Sequence, residues 1–208
     1  MNKILIINPK PHTELGGIES YTSKLIQIFL NNGYKVFELS QMPSEVCKIK
    51  NQHHNFYFIN HPYYIKSKLD YKKYNFLIRY IKLFWISIKV NWLAKKIIKQ
   101  NEINIVIDNN LTTYISFIRR VKYFWIQHFN AEIVIGTKIR RLLKKILFIK
   151  DRFNFPNIIT FTKKDVEYLV ENHLVKIKKQ KIHQITPGIV LKLHTHTHKR
   201  TQSNCIHW

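Results

Sequence analysis

The stretch that decides the fold is KILIINPKPHTELGGIESYTSKLIQIFLNNGYKVFELS, at residues 3–40. Its apolar run at residues 3–8 predicts a buried strand, and after a loop residues 18–32 predict an amphipathic helix. Gly33 ends that helix, because glycine readily adopts the left-handed backbone conformation used at helix ends. Residues 34–39 then predict a second strand. A strand, a helix and a strand in this order are typical of a parallel α/β sheet.

The same alternation continues along the chain. Short β-rich apolar runs predict further strands at residues 56–59, 103–107, 123–126, 157–161 and 181–186. Thr162 and Asp165 have the S/T-x-x-D/E spacing of a helix cap, before a helix predicted at residues 165–172. These patterns predict one α/β domain whose parallel sheet has six or seven strands. After residue 190 the amphipathic pattern ends, so we expect a disordered tail.

Composition limits the class of protein. The chain has 208 residues, of which 45% are hydrophobic, and a formal net charge of +23. This much apolar material excludes disordered, collagen-like and low-complexity proteins. The charge predicts attraction to polyanions, namely nucleic acid, an anionic membrane or a phosphorylated substrate. A codon bias toward lysine, as in AT-rich genomes, is an equally weighted explanation of the excess of lysine.

Cysteine usage and the apolar runs indicate the compartment. Cys47 and Cys205 lie far apart and form no CxxC pair, which argues against a disulfide scaffold or a zinc site. The apolar run after Met1 is too short for a signal peptide. Lysines and Arg79 interrupt the most apolar later segment, residues 76–98. We therefore expect a cytoplasmic protein without a transmembrane helix.

The first loop carries two adjacent glycines, Gly16 and Gly17, directly before the first predicted helix. Ligands of open parallel sheets bind beyond the carboxyl ends of the strands, where such loops lie. Glycines there let a ligand approach the backbone and expose N–H groups to an anion. The GxGxxG and GxxxxGK[ST] fingerprints are absent, which excludes dinucleotide and P-loop sites. A flexible loop without a ligand is the alternative interpretation.

The order of motifs resembles the N-terminal half of family-4 glycosyltransferases, which have the GT-B fold. The matching motifs are GGIE at 16–19, NGYKV at 32–36, YFWIQHF at 123–129, NIITFT at 157–162 and KIHQITPGI at 181–189. The resemblance implies a Rossmann-like domain over residues 1–189, with a parallel sheet flanked by helices, and an unrelated tail at residues 190–208. Val190 departs from the family, whose members often have aspartate there.

The resemblance also implies a reaction and its residues. A sugar is transferred, with retention of configuration, from a nucleotide-sugar to a glycan or lipid-linked acceptor in bacterial surface-polysaccharide or glycolipid synthesis. The family's reaction usually needs no metal, and we expect no cofactor besides the donor. Gly16 and Gly17 would face the donor diphosphate, whose developing charge N–H donors stabilise, and His128 would be the catalytic residue in the cleft. The other implied cleft residues are Glu19, Asp108 and Thr162.

Three of these residues also have structural interpretations. Glu19 suits the first turn of a helix, where an acid interacts favourably with the helix dipole. His128 suits a strand end without a catalytic role, and Asp108 suits a loop cap.

The family's second domain supplies an arginine, a lysine and a pair of glutamates for the donor. Residues 190–208 cannot hold such a domain, so we expect a truncated enzyme that is inactive alone, because half a cleft cannot hold the donor in reactive geometry. A separate chain that supplies the second domain is an implied partner. The alternative function is a non-catalytic basic module that binds an anionic membrane or a partner subunit.

Basic residues concentrate in residues 61–100, which hold ten of them against one acid. A helix predicted at residues 76–100 has Ile81 and Trp92 on a face apart from a lysine stripe, and such a helix can lie in an anionic membrane interface. The predicted interface residues are Arg79, Lys82, Trp85, Lys89, Trp92 and Lys96. Packing of the apolar face on the sheet, with solvated lysines, is the alternative. Family-4 enzymes with lipid-linked acceptors often dock on membranes through this domain, so attachment to the inner membrane face is part of the expected localisation.

A second basic cluster, at residues 138–145, repeats this pattern. Nucleic-acid binding is the main rival explanation of the charge, since aromatic residues accompany the basic ones. The chain has no RNP, KH, helix-turn-helix or zinc-finger pattern, which disfavours that interpretation.

Overall fold

The computed structural model describes residues 2–41, 54–61, 76–109, 121–128, 157–172 and 182–185. Within them the strands are β1 (Lys3–Ile7), β2 (Lys35–Ser40), β3 (Phe56–Asn60), β4 (Ile105–Asp108), β5 (Lys122–Gln127), β6 (Asn157–Thr160) and β7 (Ile182–Gln184). The helices in the same ranges are α1 (Gly17–Asn31), α2 (Phe76–Asn101) and α3 (Lys163–Glu171). Each predicted strand and helix is present.

The strands form one seven-stranded sheet in the order β3-β2-β1-β4-β5-β6-β7. Every neighbouring pair is parallel. The chain builds outward from β1 to β3 and then returns to place β4 on the other side of β1. Open α/β sheets bind ligands at such a reversal, beyond the carboxyl ends of the strands. The prediction of a Rossmann-like parallel sheet flanked by helices is confirmed.

Hydrophobic cores cover both faces of the sheet. The four aliphatic residues of β1 are each at most 1% exposed, as is typical of a central parallel strand. Alternate residues face opposite ways, so Ile4 and Ile6 pack in the core beneath α1, whereas Leu5 and Ile7 pack beneath α2. This alternation also decides the face of each polar residue at a strand end.

Several element bounds differ from the predictions by one or two residues. α3 begins two residues earlier than predicted because Thr162 is its N-cap and accepts a hydrogen bond (3.1 Å) from the backbone N–H of Asp165. β4 begins later than predicted because the N–H of Ile103 bonds the carbonyl of Ile98 (3.1 Å) in the turn that ends α2. Glu102 in that turn has a φ of 52°, in the left-handed region common at helix ends.

Some predicted features lie outside the described residues. These are the tail at residues 190–208 and the basic cluster at residues 138–145. The domain boundary at residue 189 stays a prediction. Among the helices that the structure describes, none is both long and apolar enough to cross a membrane.

Candidate functional site

Four polar side chains meet at the carboxyl edge of the sheet, on the face that α1 covers. Asn8 follows β1, Glu38 lies near the end of β2, Asn109 follows β4 and His128 follows β5. Each stands two residues after a member of the core beneath α1, so the alternation of the strands directs all four to one face. The reversal of strand order between β1 and β4 lies in the middle of this group.

A continuous set of hydrogen bonds joins these residues. Asn8 Nδ2 lies 2.8 Å from Glu38 Oε1, and Asn109 Nδ2 lies 2.9 Å from Asn8 Oδ1. His128 Nε2 lies 2.9 Å from Asn109 Oδ1. Thr22 of α1 joins the set, with its Oγ1 3.2 Å from Asn109 Nδ2. Asn8, Thr22, Glu38 and Asn109 are each at most 1% exposed, and the hydrogen bonds replace the water that their burial excludes.

Glu38 is the acidic end of this set. It is fully buried, and its Oε1 also accepts a hydrogen bond (2.9 Å) from the backbone N–H of His12. The ring Nδ1 of His12 lies 2.5 Å from Glu38 Oε2. Such partners are required because an unpaired carboxylate in an apolar interior is strongly disfavoured. The loop between β1 and α1 is thereby bound to β2.

His128 lies half-buried between aromatic rings. Its ring centroid is 5.1 Å from that of Tyr21 and 5.4 Å from that of Phe161. Burial lowers the pKa of His128 to about 4, so the ring is neutral at pH 7. Burial also raises the pKa of Tyr21, which keeps its phenol protonated.

The hydrogen bonds determine which nitrogen of the neutral His128 ring carries the proton. Asn109 donates from Nδ2 to Asn8 and Thr22, so its carbonyl oxygen Oδ1 faces His128. A carbonyl oxygen can only accept, and therefore His128 Nε2 donates. Nδ1 then has the free lone pair, and it has no hydrogen-bond partner among the residues described. His128 therefore presents a neutral hydrogen-bond acceptor at the carboxyl edge.

The two glycines of the first loop have different surroundings. Gly16 is the N-cap of α1, and a Cβ on it would overlap the carboxylate of Glu19, a residue only 8% exposed. Gly17 begins α1, and among the described residues no atom beyond its chain neighbours and the nearby backbone of α1 lies within 4 Å of the position its Cβ would take. A ligand can therefore approach Gly17, whereas the acidic side chain of Glu19 lies against Gly16.

Asp108 and Thr162 have structural partners. Asp108 ends β4 on the opposite face of the sheet, where the hydroxyl of Tyr123, a member of the core beneath α2, donates to it (2.5 Å). Thr162 caps α3, and its hydroxyl donates to the carboxylate of Asp165 (2.6 Å). The hydrogen bonds thus group His128 with the asparagines and Glu38, on the face that Asp108 does not share.

The site residues predicted from the sequence did not include Asn8, His12, Glu38 and Asn109. One signal was present, because Glu38 interrupts the apolar run of β2, and an acid in a strand buried on both faces needs partners. The asparagines gave no such signal, since asparagine commonly follows a strand in a turn. Within the described ranges, no group of three or more His, Cys, Asp or Glu side chains is suited to a metal ion.

The exposed face of α2 is a second candidate site. Trp85 and Trp92 are 57% and 64% exposed, and Ile81 is 50% exposed. The exposed lysines of the same helix are Lys82, Lys89, Lys95, Lys96 and Lys99. α2 packs on the sheet through Val90 and Ala94, whose small side chains allow close approach. Ile81 and Trp92 are exposed, so the alternative in which their face of the helix packs on the sheet is wrong for these two residues. Arg79 lies in the first turn of α2.

Several solved structures share this fold over most of the chain. Sucrose-phosphate synthase from Thermosynechococcus elongatus has a TM-score of 0.63 and 11% identity, covering 91% of this chain and 49% of its own. A glycosyltransferase from Rickettsia africae has a TM-score of 0.57 and 15% identity, and the match covers 90% of this chain and 43% of that enzyme. WaaG, a glycosyltransferase involved in lipopolysaccharide biosynthesis, has a TM-score of 0.54 and 14% identity, covering 89% and 45%. No protein-family model matches the chain, and no curated protein sequence matches it.

At these identities the likeness concerns the fold. The chain spans about half the length of the structures that it matches. Its parallel seven-stranded sheet with flanking helices is the glycosyltransferase-like fold of one half of a GT-B enzyme.

Proposed function

We propose that this chain is the acceptor-side half of a retaining glycosyltransferase. The substrates would be a nucleotide-sugar and a glycan or lipid-linked acceptor, in the synthesis of bacterial surface polysaccharide or glycolipid. The fold shared with three sugar-transferring enzymes supports the reaction class. The observation that carries the proposal is His128, a neutral acceptor fixed at the carboxyl edge beside the reversal of strand order.

The proposed roles follow from the surroundings of each residue. His128 Nδ1 would accept a hydrogen bond from a hydroxyl of the transferred sugar. The open side of Gly17 would admit the donor diphosphate to the N-terminus of α1, where N–H groups stabilise the charge that develops on the leaving group. The Glu19 carboxylate lies next to this position, so the diphosphate would bind on the Gly17 side.

A GT-B site lies between two domains, and this chain matches about half of its structural neighbours. We therefore expect the chain to be inactive when it is isolated. A second domain, on a separate chain or elsewhere, would complete the cleft and hold the donor in reactive geometry.

Ligand titration of the 15N-labelled chain, followed by NMR, tests the site. Titration with UDP-, GDP- and ADP-sugars is expected to shift the signals of Gly17 and His128. Gly33, which ends α1 at the opposite edge of the sheet, is the internal control and should not shift. Shifts at Gly33 alone, or none with any donor, would contradict the site. Sugar transfer by the isolated chain would contradict the incompleteness while supporting the reaction.

A second proposed function is attachment of the chain to an anionic membrane through α2. The exposure of Trp85 and Trp92 among exposed lysines favours it, since tryptophan inserts at the lipid interface while lysine attracts acidic headgroups. In the alternative, where the apolar face of α2 packs on the sheet and the lysines are only solvated, Trp85 and Trp92 would be buried.

Co-sedimentation with vesicles tests this attachment. Charge reversal at Lys82, Lys89 and Lys96 removes an attraction of about 1 kcal/mol for each lysine and adds repulsion, which predicts binding to phosphatidylglycerol vesicles that is weaker by at least roughly hundredfold. The matched control reverses three exposed lysines of other helices: Lys24, Lys163 and Lys164. Equal losses in the two triple variants, or equal binding to phosphatidylcholine vesicles, would contradict attachment through α2.

A further inference from the structure

The hydrogen bonds between Glu38 and His128 all have one direction. His128 Nε2 donates to Asn109, Asn109 Nδ2 donates to Asn8, and Asn8 Nδ2 donates to Glu38 Oε1. Reversal of one amide alone would set donor against donor or acceptor against acceptor. The direction of the set is therefore fixed at the end that cannot reverse, where a carboxylate can only accept.

We propose that Glu38 is a positioning residue that fixes the proton of His128 on Nε2, through Asn109 and Asn8, and so keeps Nδ1 as an acceptor for a ligand hydroxyl. Only the naming of a sugar hydroxyl as that ligand rests on the proposed function. Glu38 lies in β2 and His128 follows β5, three strands away in the sheet, so Glu38 acts without touching the ligand.

Burial of the two asparagines allows Glu38 to determine the orientation of both amides and so the position of the proton on His128. Asn8 and Asn109 are 1% and 0% exposed, so water is not at hand to serve as an alternative partner that would permit either amide to reverse. Thr22 supports the same orientation. Its hydroxyl donates to the backbone carbonyl of Ile18 (2.8 Å), which leaves its oxygen to accept from Asn109 Nδ2 (3.2 Å).

The test is 15N and 1H NMR of the imidazole of His128 in the full chain at pH 7. The wild-type ring is expected to show one tautomer, protonated on Nε2, with a slowly exchanging Hε2. Glu38→Leu removes the acceptor, and we expect averaged nitrogen shifts and at least tenfold faster Hε2 exchange. Glu38→Gln is expected to keep the wild-type pattern, because its carbonyl oxygen still accepts from Asn8.

Two more variants separate positioning from general destabilisation. Leu39→Ala removes core volume from the same strand on the opposite face, and it should leave the His128 signals unchanged. Asn8→Ala breaks the set at another point and should reproduce Glu38→Leu, which keeps the test decisive if Glu38→Leu does not fold. A wild-type pattern in both Glu38→Leu and Asn8→Ala, or equal loss in Leu39→Ala, overturns the proposal. No substrate is used, so failure of the proposed function would leave this result intact.

Discussion

At the scale of the residue, the charge state of His128 should respond to a charge on Asn109, its hydrogen-bond partner among the described residues. Asn109→Asp places a carboxylate at the position of Oδ1, which lies 2.9 Å from His128 Nε2. The opposite charge favours the imidazolium and should raise the pKa of His128 from about 4 to roughly 6. NMR titration of the ring Hε1 measures this value. Asn32→Asp, the same change on an exposed residue that follows α1, should leave it unaltered.

The contact between Gly16 and Glu19 predicts an energetic coupling. Gly16→Ala should destabilise the fold, because its Cβ displaces the nearly buried carboxylate of Glu19. In a Glu19→Ala background the same change should cost less, with a coupling energy of about 0.5–3 kcal/mol. Urea unfolding of the two single variants and the double variant measures the coupling. Gly17→Ala, beside open space, is the control, and strict additivity would contradict the contact.

At the scale of the element, α2 has one face that supports the fold and one that does not. Ala94 is fully buried against the sheet, so Ala94→Leu should destabilise the protein by about 1–3 kcal/mol. Trp92 is 64% exposed, and Trp92→Ala should change stability by less than about 0.5 kcal/mol. Thermal unfolding of both variants checks the assignment. A large loss in Trp92→Ala would mean that the packed face has been misassigned.

The strands could be predicted from the sequence because buried parallel strands are short, continuous apolar runs. The packed face of α2 could not, because apolar residues surround that helix and periodicity gives no single stripe. The site was only partly predictable. His128 and the glycines belong to local sequence motifs, which could be recognised. Asn8 and Asn109 are 101 residues apart in the sequence, and their hydrogen bond forms only because the sheet places β1 beside β4.

At the scale of the whole molecule, two of the described histidines, the buried His61 and the half-buried His128, make stability depend on pH. Burial lowers the pKa of His61 and His128 to about 4, against 6.5 as the ordinary value. Between these values the unfolded chain binds more protons than the folded chain, so the free energy of unfolding falls as the pH falls from 6.5 to about 4. Their contribution is fully present above pH 6.5, and each histidine accounts for about 3 kcal/mol of the loss.

Urea unfolding between pH 7 and pH 4 checks this dependence. His128→Gln removes one of the two groups, so the slope of the unfolding free energy near pH 5 should fall by about 1.4 kcal/mol for each pH unit. An identical slope in His128→Gln would contradict the burial of the ring in its neutral form.

The hydrogen bonds that join Glu38 to His128 should also oppose local opening of the strand ends at the carboxyl edge of the sheet. Strand ends are ordinarily among the first parts of a sheet to open. Here, side-chain hydrogen bonds join Glu38 of β2 to the residues that directly follow β1, β4 and β5. If one strand end opened alone, buried donors or acceptors in its neighbours would lose their partners, so we expect the ends of β1, β4 and β5 to open together. We therefore expect this carboxyl edge to be ordered in the absence of any ligand.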